Sequence, residues 1–290
     1  MPTIAQWIEG ARPRTLPNAI APVLVGTGAA AAVDGAVWWL AVLALVVSLS
    51  LIVGVNYAND YSDGIRGTDR VRIGPLRLVG SGLATPQAVK SAAMWSLAVA
   101  AVAGLALIVA SRTWWLSVPG ALCIVGAWFY TGGKRPYGYR ALGELAVFLF
   151  FGPIAVLGTL YVQTGKINGT AIGCSVAVGA FSAAILVANN LRDIPTDRDS
   201  GKRTLAVLLG DKDTRRLYLA LVAVPFLITV LLGIENTPAL AGLLAIPLLL
   251  PPVRRVLRGY TGRRLIPVLR DTAMAMLAWS VATALALALG

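Results

Sequence analysis

The sequence predicts an all-α fold: a polytopic membrane protein whose roughly nine spans form a single domain over residues 1–290. Three observations predict it. Of the 290 residues, 57% are hydrophobic and only 13% are charged, about half the charge of an ordinary soluble domain. Apolar segments of about 20 residues, the length needed to cross a hydrocarbon core of roughly 30 Å, recur along the whole chain. These runs are continuous rather than alternating. That selects helices over a barrel, the only other structure that satisfies its own backbone in lipid.

The expected spans are 16–33, 37–58, 88–110, 114–131, 143–164, 169–191, 215–234, 238–253 and 267–289. The formal charge of +12 suggests nucleic acid at first sight, but its placement argues for topology. With the N-terminus cytoplasmic, 23 of the 25 Lys and Arg fall on the cytoplasmic side, and only Arg112 and Lys166 lie outside. The positive-inside rule demands that asymmetry. Histidine is absent, and Cys123 and Cys174 both fall inside spans. Neither a disulfide framework nor a soft-metal site is expected, and chemistry falls to Asp, Asn, Lys, Arg and Tyr.

In chain order, Arg12 and Arg14 bracket Pro13 just before span one. Pro17 and Pro22 interrupt the apolar run that a cleaved leader needs, so a retained first span is expected. Span two ends in VGVNYANDYSDGIRG, residues 53–67. On a continuing helix Asn56, Asp60 and Asp63 share one face, with Asn59 close to it. A loop of roughly 20 to 25 residues comes next, where most connections have about 4–6, and it carries Arg66, Asp69, Arg70, Arg72 and Arg77.

Spans three and four lead to YTGGKRPYGYR, residues 130–140, where Tyr130 and Lys134 flank a glycine pair. The plain reading is a cytoplasmic turn; the functional one is a loop whose backbone approaches a ligand. Spans five and six are rich in small residues, as helix contacts in lipid tend to be. Span six ends in VANNLRDIPTDRDSGKRT, residues 187–204. Pro195 is expected to stop or kink the helix near Asp193, leaving Asp197 on a new helix or loop. Gly201, Lys202, Arg203 and Thr204 form an anion-friendly set. The last three spans carry no comparable cluster.

Six of the 13 acidic residues lie in these two stretches: Asp60, Asp63, Asp69, Asp193, Asp197 and Asp199. Each stretch opens with Asn-x-x-x-Asp, Asn56 to Asp60 and Asn189 to Asp193, and the two spans that carry them are four helices apart. A four-helix internal repeat would relate them. The structural alternative is that these acids pair with Arg66, Arg70, Arg192 and Arg198 to stitch loops together. Two matched clusters favour a shared site for a hard cation, which takes carboxylates plus substrate phosphates. Lys134 and the loop arginines then contact the remaining phosphate oxygens.

The chain resembles the UbiA superfamily of intramembrane prenyltransferases over essentially its full length. Asn59-Asp60-x-x-Asp63 resembles the first aspartate motif, Asp193-x-x-x-Asp197 the second, and Tyr130-x-x-x-Lys134 the intervening one. Where the general first motif has a further Asp, this chain has Gly67, and its Asp lies two residues on, at Asp69. That spacing, with ARPRTLPNAIAPVLVGT at 11–27 and RIGPLRLVGSG at 72–82, is similar to 1,4-dihydroxy-2-naphthoate polyprenyltransferases of menaquinone biosynthesis.

The resemblance implies helices around a central cavity, Mg²⁺ as cofactor, a polyprenyl diphosphate donor, an aromatic acid acceptor, and loss of the acceptor carboxylate as CO₂. It implies that Asn59, Asp60, Asp63, Asp193 and Asp197 hold the metal. Lys134, Arg77, Tyr130 and Lys202 would bind diphosphate, and Arg12, Arg14 and Asn56 the acceptor. It places the protein in a bacterial plasma membrane with its active-site loops cytoplasmic. Rivals are the same chemistry on 4-hydroxybenzoate and, more distantly, a divalent-cation transporter or a CDP-alcohol phosphotransferase. A transporter's acids belong near mid-membrane on broken helices. The phosphotransferase motif lacks its downstream aspartates here.

Overall fold

The computed structural model describes residues 2–67 and 76–290. Asp69, Arg70 and Arg72, expected in the loop after span two, lie outside the described residues. The described residues form helices, with no strand beyond one isolated bridge between Arg140 and Arg203.

A short helix α1 (Ile4–Gly10) opens the chain, capped by Thr3 and Gln6 in a reciprocal capping box. Helix α2 (Pro17–Ala31) starts on a proline, whose missing N–H costs nothing in the first turn. Helix α3 (Trp38–Arg66) runs through the first acidic cluster and stops at Gly67, whose φ of 72° closes the end. Helix α4 (Pro86–Ser111) begins on the Thr85 cap, and α5 (Ser117–Phe129) comes after one turn of 3₁₀ helix.

Helix α6 (Gly143–Leu149) passes through a π-helical stretch at Phe150–Leu157 into α7 (Gly158–Thr164), one span in three pieces. Pro153 inside that stretch removes a backbone donor, which accounts for the widened turn. Helix α8 (Gly169–Asp199) starts on the Asn168 cap, and α9 (Leu205–Glu235) is bent at Gly210, where φ is 76°. A 3₁₀ stretch, Thr237–Ala245, leads into α10 (Ile246–Leu257), and α11 (Ile266–Leu289) closes the chain.

Among the described residues, seven helices are long and apolar enough to cross a membrane, and Trp114–Phe129 is a shorter apolar one. Helix α2, with 15 residues, occupies the segment expected as span one. Among the described residues, the seven long helices fall on seven of the expected spans, with α9 starting at Leu205 rather than at 215 and two others running on past their expected ends. Helix α3 extends from the expected end at 58 to Arg66, and α8 from 191 to Asp199. The expected break at Pro195 is corrected: α8 continues through it. A proline's fixed φ is helical, so within a packed helix it forfeits one backbone bond without ending the element.

Helix α8 is the axis of the bundle. Its span is mostly buried, whereas only about a fifth of the spans of α3, α4 and α9 is buried. Outward residues such as Trp95, Val102, Leu227 and Ile234 are large and apolar, the inverse of a soluble surface and what contact with lipid requires. Close backbone approach supplies much of the packing. A Cβ on Gly152 would lie 2.5 Å from the Ser175 carbonyl oxygen, and one on Gly28 would lie 2.6 Å from the Ala284 Cα.

Candidate active site

The C-terminal turns of α3 and α8 open onto one cavity of about 610 Å³. Along α3 it is lined by residues 44, 47, 48, 51, 52, 55, 56, 59 and 63. That is a stripe at helical spacing, and at 1.5 Å per residue it is about 28 Å long. The stripe changes character along its length, from Ala44, Val47, Leu51 and Val55 to Asn56, Asn59 and Asp63. Ile185 and Leu186 give way in the same manner to Asn189, Asn190, Asp193 and Asp197 on α8. Phe150, Phe151 and Ile154 of the π-helical stretch complete the apolar wall. The result is an apolar trough with a charged head.

At that head the two acidic stretches meet through a third element. Gly201, at φ 74°, turns the chain after α8, and the Lys202 N–H donates to the Asp197 carbonyl at 2.8 Å. The turn sends the Lys202 ammonium across to Asp63 on α3, 3.5 Å away. Arg77 reaches the other oxygen of the same carboxylate at 3.3 Å, and the Tyr139 hydroxyl donates to Asp63 as well. Lys202 sits 4.5 Å from the centre of the Tyr139 ring. Burial, and after it the Asp63 charge, pushes the Tyr139 phenol up from its usual value, so it remains a donor. Asn59 accepts from Thr131 Oγ1 at 2.6 Å. On α8, Arg192 donates to Asp193 through Nε at 2.7 Å and through its terminal nitrogen at 2.6 Å.

Of the residues expected from sequence, the cavity gathers Arg12, Asn56, Asn59, Asp63, Arg77, Tyr130, Asp193, Asp197 and Lys202. Three fall elsewhere. Arg14 and Lys134 are exposed and outside the lining. Asp60 is buried but turned away, accepting from the backbone N–H groups of Leu78 and Val79. Asp199, in the second stretch, is exposed. Asn56 lies on the wall with its amide donating to the Ala11 carbonyl and Thr15 hydroxyl, each at 2.9 Å. Those bonds hold the hairpin on which Arg12 adopts a left-handed φ of 58°.

Sequence reasoning missed Tyr139, Thr131 and Glu144. Glu144, 6% exposed, accepts from Asn190 at 2.8 Å behind the α8 wall. None of the three carries a spacing signal, because each meets its partner only through tertiary packing.

The model of the UbiA prenyltransferase family matches residues 19–281. The chain belongs to that family. It is 59% identical over 290 residues to the 1,4-dihydroxy-2-naphthoate octaprenyltransferase of Mycobacterium tuberculosis, covering 100% of this chain and 99% of that one. The apo structure of a UbiA homolog from Aeropyrum pernix K1 superposes with a TM-score of 0.71 at 16% identity, over 91% of this chain and 96% of that one. A UbiA homolog from Archaeoglobus fulgidus, bound to DMAPP and Mg²⁺, gives 0.63 at 15% identity, over 96% and 99%. As in the family, the chain is a multi-pass helical membrane prenyltransferase.

The family implies a divalent cation, and the donor chemistry fits one. Among the described residues, the cavity head offers side-chain oxygens from Asn59, Asp63, Asp193 and Asp197, the ligand type that Mg²⁺ prefers. Among the described residues no group of three acidic side chains could hold an ion alone. Mg²⁺ is ordinarily held by one or two carboxylates together with the oxygens of a phosphorylated ligand.

Proposed function

We propose that this protein transfers a polyprenyl group from polyprenyl diphosphate to 1,4-dihydroxy-2-naphthoate, releasing diphosphate and CO₂ and giving demethylmenaquinone. The observation that carries the reading is the 59% identity, end to end, with the mycobacterial enzyme of that name. The cavity supports it, since an apolar trough ending in a charged head, about 28 Å long together, matches a diphosphate with a hydrocarbon tail.

Asn59, Asp63, Asp193 and Asp197 would hold Mg²⁺. When bound, the ion offsets the diphosphate charge and improves the leaving group. Lys202 and Arg77 contact the phosphate oxygens and stabilise the charge that builds on them as the C–O bond breaks. Lys202 takes the role expected of Lys134, and Arg12 that shared with Arg14, because the exposed pair lies outside the cavity. Arg12 holds the acceptor carboxylate, and Tyr130 borders the same space. The ring carbon that bears the carboxylate attacks the allylic cation, and departing CO₂ returns its electron pair to the ring. The apolar walls keep water from capturing the cation first.

The polar end faces the cytoplasm of a bacterial cell across its plasma membrane, supported by the placement of 23 of 25 basic residues on that side. Purified protein supplied with Mg²⁺, octaprenyl diphosphate and either acceptor tests the reaction. Prenylated naphthoquinol with release of CO₂ is expected from dihydroxynaphthoate. Turnover with 4-hydroxybenzoate alone would assign another aromatic acceptor, and metal flux in proteoliposomes without a prenyl donor would point to transport.

A further inference from the structure

We propose that Asp60, although it sits in the first aspartate motif, is a positioning residue that seats Arg77 in the cavity rather than a ligand to cation or substrate. Two overlapping Asn-x-x-x-Asp pairs occupy the end of α3, Asn56/Asp60 and Asn59/Asp63. At about 100° per residue, Asn59 and Asp63 are about 40° apart and face the cavity, whereas Asp60 lies about 100° from Asn59 and past the edge of that stripe. Its side chain is 1% exposed and does not line the cavity.

Both carboxylate oxygens have partners of another kind. Oδ2 accepts from the Leu78 N–H at 2.7 Å and Oδ1 from the Val79 N–H at 3.1 Å. Two consecutive amides, one buried and one half-buried, aimed at one carboxylate resemble a helix cap, and a charged acceptor strengthens both bonds. The same segment is seated by packing. Leu78 is fully buried and touches Gly10, and a Cβ on Gly64 would collide with a Val79 methyl. Turn bonds from the Ser81 N–H to the Arg77 carbonyl and from the Ala84 N–H to the Leu78 carbonyl fix the chain as far as Ala84. The residue ahead of the pinned amides is Arg77, whose guanidinium meets Asp63 in the cavity. Asp60 thus acts on the site through the backbone it holds.

The role of Arg77 toward a diphosphate rests on the proposed function; the clamp itself does not. Two arms test it. First, hydrogen exchange of the Leu78 and Val79 amides is measured in Asp60→Asn, whose amide keeps one acceptor and sets an NH₂ against the second donor. Protection of these amides is expected to fall while the α3 amides stay protected. In the wild-type protein, adding Mg²⁺ with inorganic pyrophosphate should leave Leu78 and Val79 as protected as before. Loss of their protection on adding the ion would show the carboxylate leaving the clamp to bind metal, and would overturn the proposal even if the variant did not fold.

The second arm is a kinetic cycle. Asp60→Asn and Arg77→Ala should each raise KM for the prenyl diphosphate about 10–100-fold, and the double variant should be no worse than Arg77→Ala. The Mg²⁺ concentration for half-maximal activity should stay at the wild-type value in Asp60→Asn. Multiplying effects, or a shifted Mg²⁺ requirement with the clamp amides still protected, would make Asp60 a ligand after all. Wild-type protein inactive on dihydroxynaphthoate would sink the proposed reaction while leaving the exchange result to stand alone.

Discussion

At the scale of single residues, the fold separates side chains that face the cavity from neighbours that resemble them in sequence. Lys202 and Lys134 are both candidates by sequence, and the turn at Gly201 brings Lys202 to Asp63 while Lys134 is exposed outside the cavity lining. Lys202→Ala should lower kcat/KM by about 10²-fold or more, the cost typical of removing a charge-stabilising donor, whereas Lys134→Ala should stay within about 2-fold. Equal losses in a prenyl-transfer assay would contradict this division. Asp193→Ala should nearly abolish transfer, with the protein still present in the membrane by immunoblot. Helical spacing places Asn59 and Asp63 near one stripe, but it places Asp60 there as well, and only the folded 76–84 segment shows Asp60 turned to the Leu78 and Val79 amides. Tyr139, Thr131 and Glu144 are not legible in sequence, since a phenol nine residues beyond Tyr130 acquires a partner only when the 130–140 loop folds against α3.

At the scale of elements, long apolar runs disclosed the helices, while their ends depended on details that hydropathy does not carry. Helices α3 and α8 continue past the apolar boundary with Asp60, Ser62 and Asp63 of the one and Asp193 and Asp197 of the other buried, while Arg66, Arg198 and Asp199 at their tips are exposed. Helix α8 absorbs Pro195, and the span 143–164 absorbs Pro153 by widening into a π-helical stretch. The stretch and the end of α6 pack on α8 through glycine, Gly152 of the stretch against Gly179 and Phe148 of α6 against the same residue. A Cβ on Gly179 would meet the Phe148 carbonyl oxygen at 2.8 Å and the Phe148 ring at 2.9 Å. Gly179→Ala should therefore push the cavity wall from its axis and cost about 1–3 kcal/mol of stability, read as a lower midpoint of thermal unfolding in detergent. Gly158→Ala, on the same span with nothing within 4 Å of its Cβ, is the matched control and should leave that midpoint unchanged or slightly higher.

At the scale of the molecule, the charge asymmetry and the two acidic stretches lead to the expectation of one site at one end of a membrane bundle, and residues of both stretches line one cavity. The expected four-helix repeat and a count of nine spans go beyond what the seven long helices establish. Orientation is open to direct measurement. A cysteine at Lys134 should be labelled by an impermeant maleimide only from the cytoplasmic side, and one at Lys166 only from the opposite side, on a background with Cys123 and Cys174 replaced. The central claim is that α3 and α8 jointly grip one diphosphate. Calorimetric titration of a non-ionisable polyprenyl diphosphate analogue with Mg²⁺ tests it most directly. One analogue should bind per chain, and Asp63→Ala and Asp193→Ala should each abolish the heat of binding. Binding of wild-type strength in either variant, or two analogues per chain, would contradict it.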